Sequence, residues 1–164
     1  MRRRLSASLC CFILLIALSA PSMAQQQQRD FSREQARPSP EWVRGAVIYE
    51  IFPRNFSREG NFNAITAQLD RLKELGVTIL WLMPIHPVGQ EKKKGTIGSP
   101  YAARDYYAIS ADYGTKEDLQ RLVRETHSRG MKIILDVAIN HTAWDSVMMK
   151  TPDFYVRDAS GKIT

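Results

Sequence analysis

The chain has 164 residues, with 23 Lys and Arg against 17 Asp and Glu, so its formal net charge is +6 at pH 7. This basic excess is too small to indicate a nucleic-acid partner. The chain has three histidines, and its two cysteines both lie in the N-terminal segment described below, so no metal-ligand cluster of the Cys/His type is expected in the mature chain.

Residues 1–24 have the pattern of a secretory signal peptide. Three arginines at 2–4 precede an apolar core at 9–18 that is too short to span a bilayer well, and Ser-Met-Ala at 22–24 is a small-x-small cleavage site. The pattern predicts a secreted or periplasmic protein with no stable membrane association after processing. The alternative is an N-terminal membrane anchor.

Cleavage would change the composition of the mature protein. Cys10 and Cys11 lie inside the apolar core, so the mature chain would contain no cysteine and would depend on its hydrophobic core alone. It would keep 20 Lys and Arg against 17 Asp and Glu, a net charge of +3. The one basic run, Lys at 92–94, is interpreted as a solvated loop face.

Residues 25–40 are of low complexity. A glutamine run at 25–28 and the Pro-containing stretch 37–40 indicate a flexible linker. The folded domain is therefore expected at 41–164.

The first part of that domain predicts a strand, a helix and a second strand. A strand from Val47 ends at Pro53, and Asn61 can cap the helix that follows. Gly76 ends this helix and 77–82 form the second strand, which together make a βαβ unit. The helix repeats apolar residues at helical spacing, namely Phe62, Ile65, Leu69, Leu72 and Leu75.

A loop at 84–114 separates this unit from the next helix, and a loop of such length is usually functional. Thr115 and Asp118 predict a capping box for a helix that Gly130 ends. A third strand is predicted at 132–138. Its apolar run of Ile133, Ile134 and Leu135 is typical of a strand buried on both faces of a parallel sheet.

Polar residues follow directly at the end of this strand. Asp136, Asn140 and His141 lie where α/β enzymes place their chemistry. Three parallel strands could begin a doubly wound sheet or a barrel. No Gly-x-Gly-x-x-Gly follows either early strand, and the long strand-to-helix loops favour the barrel.

The spacing Asp-x-x-x-Asn-His at 136–141 resembles the first catalytic motif of the α-amylase family of glycoside hydrolases. The stretches 46–56, 76–84 and 98–115 are similar to that family's first strand, second strand and aromatic loop. The resemblance covers about 41–164. It implies an α/β fold, the N-terminal portion (about three strands) of a TIM-type (β/α)8 barrel, truncated at its C-terminus.

The resemblance also implies roles for individual residues on an α-glucan such as starch or a maltodextrin. Asp136 would be a supporting carboxylate, and His141 would hydrogen-bond a sugar hydroxyl at the cleavage subsite. Tyr101, four residues before Asp105, would stack on a sugar ring. Asn140 would be a calcium ligand or a hydrogen-bonding scaffold.

The same residues also have purely structural interpretations. Asp136 could cap a loop, and Tyr101 could pack the loop against the barrel rim. Tyr106, Tyr107 and Tyr113 are interpreted as loop packing. His86, just past the second strand, could be a site residue or a rim residue.

The nucleophile and the acid/base of the family are expected beyond Thr164, on an Asp after strand four and a Glu after strand five. No catalytic residue is therefore expected in this chain, and the full-length protein is expected to be a glycosidase. A transglycosylase or isomerase of the same family is one alternative. A non-catalytic carbohydrate-binding protein with an amylase-like barrel is another.

Overall fold

The computed structural model describes residues 32–164. The chain divides into Met1–Pro38 and Ser39–Thr164, and the second unit contains all the elements described below. The predicted signal peptide and residues 25–31 of the predicted linker lie outside the described residues. Within 32–164, no helix is both long enough and apolar enough to cross a membrane.

The centre of the fold is a sheet of three parallel strands in the order β1-β2-β3. The strands are β1 (Ile48–Ile51), β2 (Ile79–Leu82) and β3 (Lys132–Leu135). This confirms the three predicted parallel strands, although each is shorter than its apolar pattern.

Within residues 32–164, four α-helices connect and flank the strands. They are α1 (Pro53–Phe56), α2 (Phe62–Ala67), α3 (Leu69–Glu74) and α4 (Lys116–Ser128). Short 3-10 helices cover Glu41–Val43, Val147–Lys150 and Pro152–Phe154.

The helix predicted between β1 and β2 begins as expected but is divided in two. The Asn61 side chain accepts a hydrogen bond from the Ala64 amide at 3.0 Å, which caps α2. Gln68 leaves helical geometry (φ −103°, ψ 3°) and separates α2 from α3. The apolar pattern was wrong for Leu75, which is 63% exposed because α3 ends one residue earlier.

Helix α4 has the predicted capping box. The Asp118 amide donates to the Thr115 hydroxyl at 3.2 Å, and the Thr115 amide donates to the Asp118 carboxylate at 2.9 Å. This backbone hydrogen bond is the main reason why the pKa of Asp118 lies below its usual value. Gly130, at φ +75°, follows the helix and lets the chain turn into β3.

The hydrophobic core lies between the helices and one face of the sheet. Its fully buried members come from β1, β2, the helices α2, α3 and α4, and the residue before β3, namely Ile51, Phe62, Ile65, Leu69, Leu72, Leu80, Leu82, Leu122 and Met131. Burial of this apolar surface fixes the sheet against the helices.

The prediction that β3 is buried on both faces is wrong for the described residues. Ile134 is 40% exposed and Leu135 is 46% exposed. β3 is an edge strand of this sheet, so Ile134 and Leu135 have a neighbouring strand on one side only. The central strand β2 has neighbours on both sides, and three of its four residues are buried.

Candidate active site

The candidate site lies at the edge of the sheet where the parallel strands end. The Asp136 amide donates to the Leu82 carbonyl at 2.8 Å, so the β2-β3 ladder continues one residue past β3. This bond fixes the backbone of Asp136 beside the start of the loop that follows β2. Carboxyl ends of parallel strands are the usual place for ligand sites in α/β proteins.

Tyr101 reaches Asp136 from the loop after β2. The Tyr101 hydroxyl donates to Asp136 Oδ2 at 2.9 Å across 35 residues of sequence. This bond is the main reason why the pKa of Tyr101 is raised, with burial and the charges of Asp136 and Glu50 adding to it. The structure thus brings two of the predicted residues together, while their roles towards a sugar stay predictions.

Replacing Asp136 with Asn is expected to move the ionisation of Tyr101 to lower pH. The neutral form of Tyr101 loses the charged acceptor that stabilises it, and the ionised form loses the carboxylate that repels it. Because the bond raises the pKa of Tyr101, it contributes its full stabilisation of the fold at pH values below the ordinary tyrosine pKa of about 10. This stabilisation is lost as the pH rises through the raised pKa of Tyr101. Phenolate absorbance followed from neutral to high pH measures the shift.

Two other tyrosines complicate that titration, since burial also raises the pKa of Tyr106 and of Tyr113. The Tyr101→Phe replacement is therefore made in the wild type and in Asp136→Asn. Subtracting each Tyr101→Phe titration curve from that of its parent gives the ionisation of Tyr101. An unchanged Tyr101 curve in Asp136→Asn would contradict the hydrogen bond.

His141 lies at the same end of the sheet, five residues after Asp136. Its side chain is exposed, and Nδ1 donates to the Asn140 amide oxygen at 3.0 Å, which leaves Nε2 as the open nitrogen. Within residues 32–164, no hydrogen bond joins the His141 side chain to Tyr101 or Asp136. His141 is linked to the pair by its place in the sequence, five residues after Asp136, and its substrate role stays a prediction.

The predicted calcium ligand is engaged within this loop. Asn140 Oδ1 accepts the His141 hydrogen bond, so one of its two lone pairs is used. No group of three or more His, Cys, Asp and Glu side chains suited to a metal occurs in the described part of the chain. Calcium takes six to eight oxygen ligands, which include backbone and amide carbonyls as well as carboxylates, and calcium binding stays a prediction.

Tyr106 and His86 support the backbone of the His141 loop. The Tyr106 hydroxyl lies 2.5 Å from the Ala138 carbonyl oxygen and 3.0 Å from that of His141. His86 Nδ1 donates to the Ala108 carbonyl at 2.9 Å, and its ring packs edge-on against Tyr106 at 5.3 Å.

Of the tyrosines interpreted as loop packing, Tyr113 is buried against Phe62. Tyr107 is 96% exposed, so that interpretation was wrong for Tyr107. Its side chain lies on the solvent side of the loop, and its amide bonds the Asp105 carboxylate.

Glu50 is a charged neighbour of the site that the sequence analysis did not assign. It lies on β1 between two residues that pack into the core, Tyr49 and Ile51, and its charge contributes to the raised pKa of Tyr101. Alternation along a strand points Glu50 to the face opposite the core. The sequence signal that could have identified Glu50 is a single carboxylate inside an otherwise apolar strand.

The loop after β2 is packed tightly against the segment after β3 at Gly89. The Gln90 amide donates to Asp145 Oδ2 at 3.0 Å, and the Ala143 amide donates to the Ala103 carbonyl at 3.1 Å. A Cβ atom on Gly89 would lie 2.1 Å from Ala143 Cβ and 2.4 Å from Asp145 Oδ1. Only glycine fits this contact without movement of one segment.

Gly89→Ala is therefore expected to lower the free energy of unfolding by about 1–3 kcal/mol, the usual cost of overpacking. Chemical denaturation measures the loss. Adding Ala143→Gly removes the nearest clash, so the double variant should recover part of the stability. Equal stability of Gly89→Ala and the wild type would show that the two segments separate easily.

Comparison with protein families gives a match to the alpha-amylase catalytic domain over residues 27–159. Trehalose-6-phosphate hydrolase of Bacillus subtilis (strain 168) is 41% identical over 107 residues, covering 62% of this chain and 18% of the relative. Oligo-1,6-glucosidase of Heyndrickxia coagulans is 37% identical over 127 residues, covering 72% of this chain and 22% of the relative. The chain thus spans about a fifth of the length of these curated relatives.

Solved structures agree with this match. An alpha-amylase from Lactobacillus plantarum superposes with a TM-score of 0.72 at 47% identity, covering 75% of this chain and 29% of that one. A noncanonic maltogenic alpha-amylase from Thermotoga neapolitana superposes with a TM-score of 0.69 at 41% identity, covering 73% and 29%. The chain belongs to the alpha-amylase family of glycoside hydrolases, and its three parallel strands are the N-terminal portion of a TIM-type (β/α)8 barrel.

Proposed function

We propose that the protein containing this chain is a glycosidase that acts on α-glucans such as starch and maltodextrins. The observation that carries the proposal is the Tyr101–Asp136 hydrogen bond at the carboxyl end of β3. The acceptor, Asp136, is the first residue of the stretch that resembles the family's first catalytic motif, and His141 is its last. Relatives named as oligo-1,6-glucosidase and alpha-amylase support a substrate made of α-linked glucose.

In this proposal, the chain supplies the binding half of the site. Asp136 holds the Tyr101 hydroxyl and thereby fixes the ring, whose face covers the apolar side of a pyranose. His141 Nε2 hydrogen-bonds a hydroxyl of the sugar at the cleavage subsite. A retaining glycosidase also needs two carboxyl groups about 5–5.5 Å apart, and these are proposed to lie beyond Thr164.

An isomerase of the same family is the second candidate function. A trehalulose synthase superposes on this chain with a TM-score of 0.61 at 31% identity, covering 73% of this chain. Such enzymes share the first motif, so the residues present here suit both reactions. The difference lies in whether water or a sugar accepts the glycosyl group.

The proposal is tested with the longer protein that includes the later strands. Reducing-sugar release is measured on starch, maltotriose, an α-1,6-linked glucose disaccharide and trehalose 6-phosphate, with product analysis by chromatography. Hydrolysis of starch and maltotriose is the expected result. Rearranged disaccharides in place of free glucose would favour the isomerase, and folded protein inactive on every α-glucoside would contradict both.

Export is proposed from the N-terminal pattern, with cleavage after Ala24. The mature protein in the medium or periplasm is expected to begin at Gln25. Intact-mass measurement of the exported protein and of the cell fraction checks this. A protein that keeps its first 24 residues and stays with the membrane would support the anchor alternative.

A further inference from the structure

The segment 137–142 carries His141 and has little support from backbone hydrogen bonds. The amides of Asp136 and Ala143, on either side of the segment, both donate to backbone carbonyls of other elements. In the described part of the chain, no backbone–backbone hydrogen bond involves the six residues between them. Four of these six residues are also exposed. Among the described residues, the position of the segment therefore depends on contacts made by side chains.

The hydroxyl of Tyr106 supplies such a contact. Tyr106 Oη lies within hydrogen-bond distance of the carbonyl oxygens of Ala138 and His141, which are three residues apart in the sequence. A hydroxyl carries one hydrogen, so the two carbonyls share it. The backbone between them bends at Asn140. The hydroxyl thus fixes both ends of the bend from which the imidazole of His141 extends.

Tyr106 is itself held firmly from the side of the central strand. The amides two residues before it and four residues after it donate to backbone carbonyls of 85–87, each at 2.8 Å. The ring of His86 packs edge-on against the tyrosine ring at a centroid distance of 5.3 Å. Ile85 belongs to the hydrophobic core. The hydroxyl of Tyr106 is therefore fixed to the packed part of the fold, whereas the segment that it holds is exposed.

We propose that Tyr106 is a positioning residue for His141, whose hydroxyl holds the 138–141 bend so that Nε2 of His141 is presented in one orientation. The inference rests on the proposed function for the role of His141 towards the substrate. It adds a residue that acts through the His141 backbone and not through contact with the sugar. Loss of the hydroxyl would leave the bend without a donor among the described residues, and the imidazole would then adopt several orientations.

The first test measures the imidazole directly and does not depend on activity. The longer protein that includes the later strands is labelled with ¹³C in its histidine rings, and the NMR signal that His141→Ala removes is that of His141. Tyr106→Phe keeps the aromatic ring and removes only the hydroxyl. It is expected to shift and broaden the His141 signal, because the imidazole then exchanges between orientations.

Tyr107→Phe is the matched control for this experiment. The same hydroxyl is removed from the next residue, whose side chain is 96% exposed and lies on the solvent side of the loop. The His141 signal is expected to stay unchanged in this variant. A His141 signal that is also unchanged in Tyr106→Phe would overturn the inference.

A double-mutant cycle in the longer protein measures the effect on catalysis. Tyr106→Phe is expected to lower kcat/KM on a maltooligosaccharide about tenfold, mostly through kcat, but by less than about twofold when His141 is already Ala. A general folding defect would lower kcat/KM by the same factor in both backgrounds, and that result would contradict positioning through His141. If the longer protein hydrolyses no α-glucoside, the proposed function fails, and the His141 signal still decides whether Tyr106 orients His141.

Discussion

The 164-residue chain is expected to release no reducing sugar from starch or maltodextrin. Two positioned carboxyl groups supply most of the rate in glycoside hydrolysis, and both are proposed to lie beyond Thr164. Asp136, the carboxylate at the candidate site, is already engaged as the acceptor of the Tyr101 hydroxyl. Reducing-sugar release by the purified chain measures this.

The comparison for that assay is the longer protein that includes the later strands, at equal molar concentration. The isolated chain is also expected to be poorly soluble, because β1 and β3 are both edges of its sheet. Clear activity of the chain alone would mean that Asp136, Glu50 or another carboxylate within it is catalytic.

Replacing His141 with Ala in the longer protein is expected to lower kcat/KM by an amount equivalent to about 2–4 kcal/mol, as for a polar contact to the reacting sugar. If that contact strengthens in the transition state, kcat falls more than KM rises. Steady-state kinetics on a maltooligosaccharide measure both constants.

His127→Ala is the matched control for this variant. His127 is also exposed, but it lies in the last turn of α4, away from the ends of the strands. Its replacement is expected to leave both constants unchanged. Wild-type kinetics in His141→Ala would place His141 outside the site.

The elements that the sequence predicted well are those set by neighbouring residues. Asn61 and the Thr115–Asp118 pair cap helices through bonds that span three residues, so their pattern is visible locally. Leu75 shares the apolar spacing of α3 but lies past its end, where local pattern no longer decides burial. The exposure of Ile134 depends on which strands lie beside β3, and no local pattern contains that information.

The residues of the candidate site also divide into those that a local sequence pattern indicates and those that depend on contacts between distant parts of the chain. Asp136, Asn140 and His141 lie within six residues directly after a predicted strand, so their place in the sequence and the family resemblance together predicted a site there. Tyr106 contacts the His141 backbone across 35 residues, and nothing near it in sequence marks that contact. The pairing of Tyr101 with Asp136 has the same separation and came within reach only through the resemblance to a family.

The contacts of Gly89 and Tyr106 have a consequence for how this part of the molecule can vary in length. Gly89 packs against Ala143, and the Tyr106 hydroxyl donates to the His141 carbonyl. The loop after β2 is therefore fixed at two contact points to the segment that carries His141. Between these two contact points, residues 93–97 are exposed. Insertions and deletions are therefore expected to be tolerated at 93–97, whereas a change of one residue at either contact point is expected to shift the position of His141.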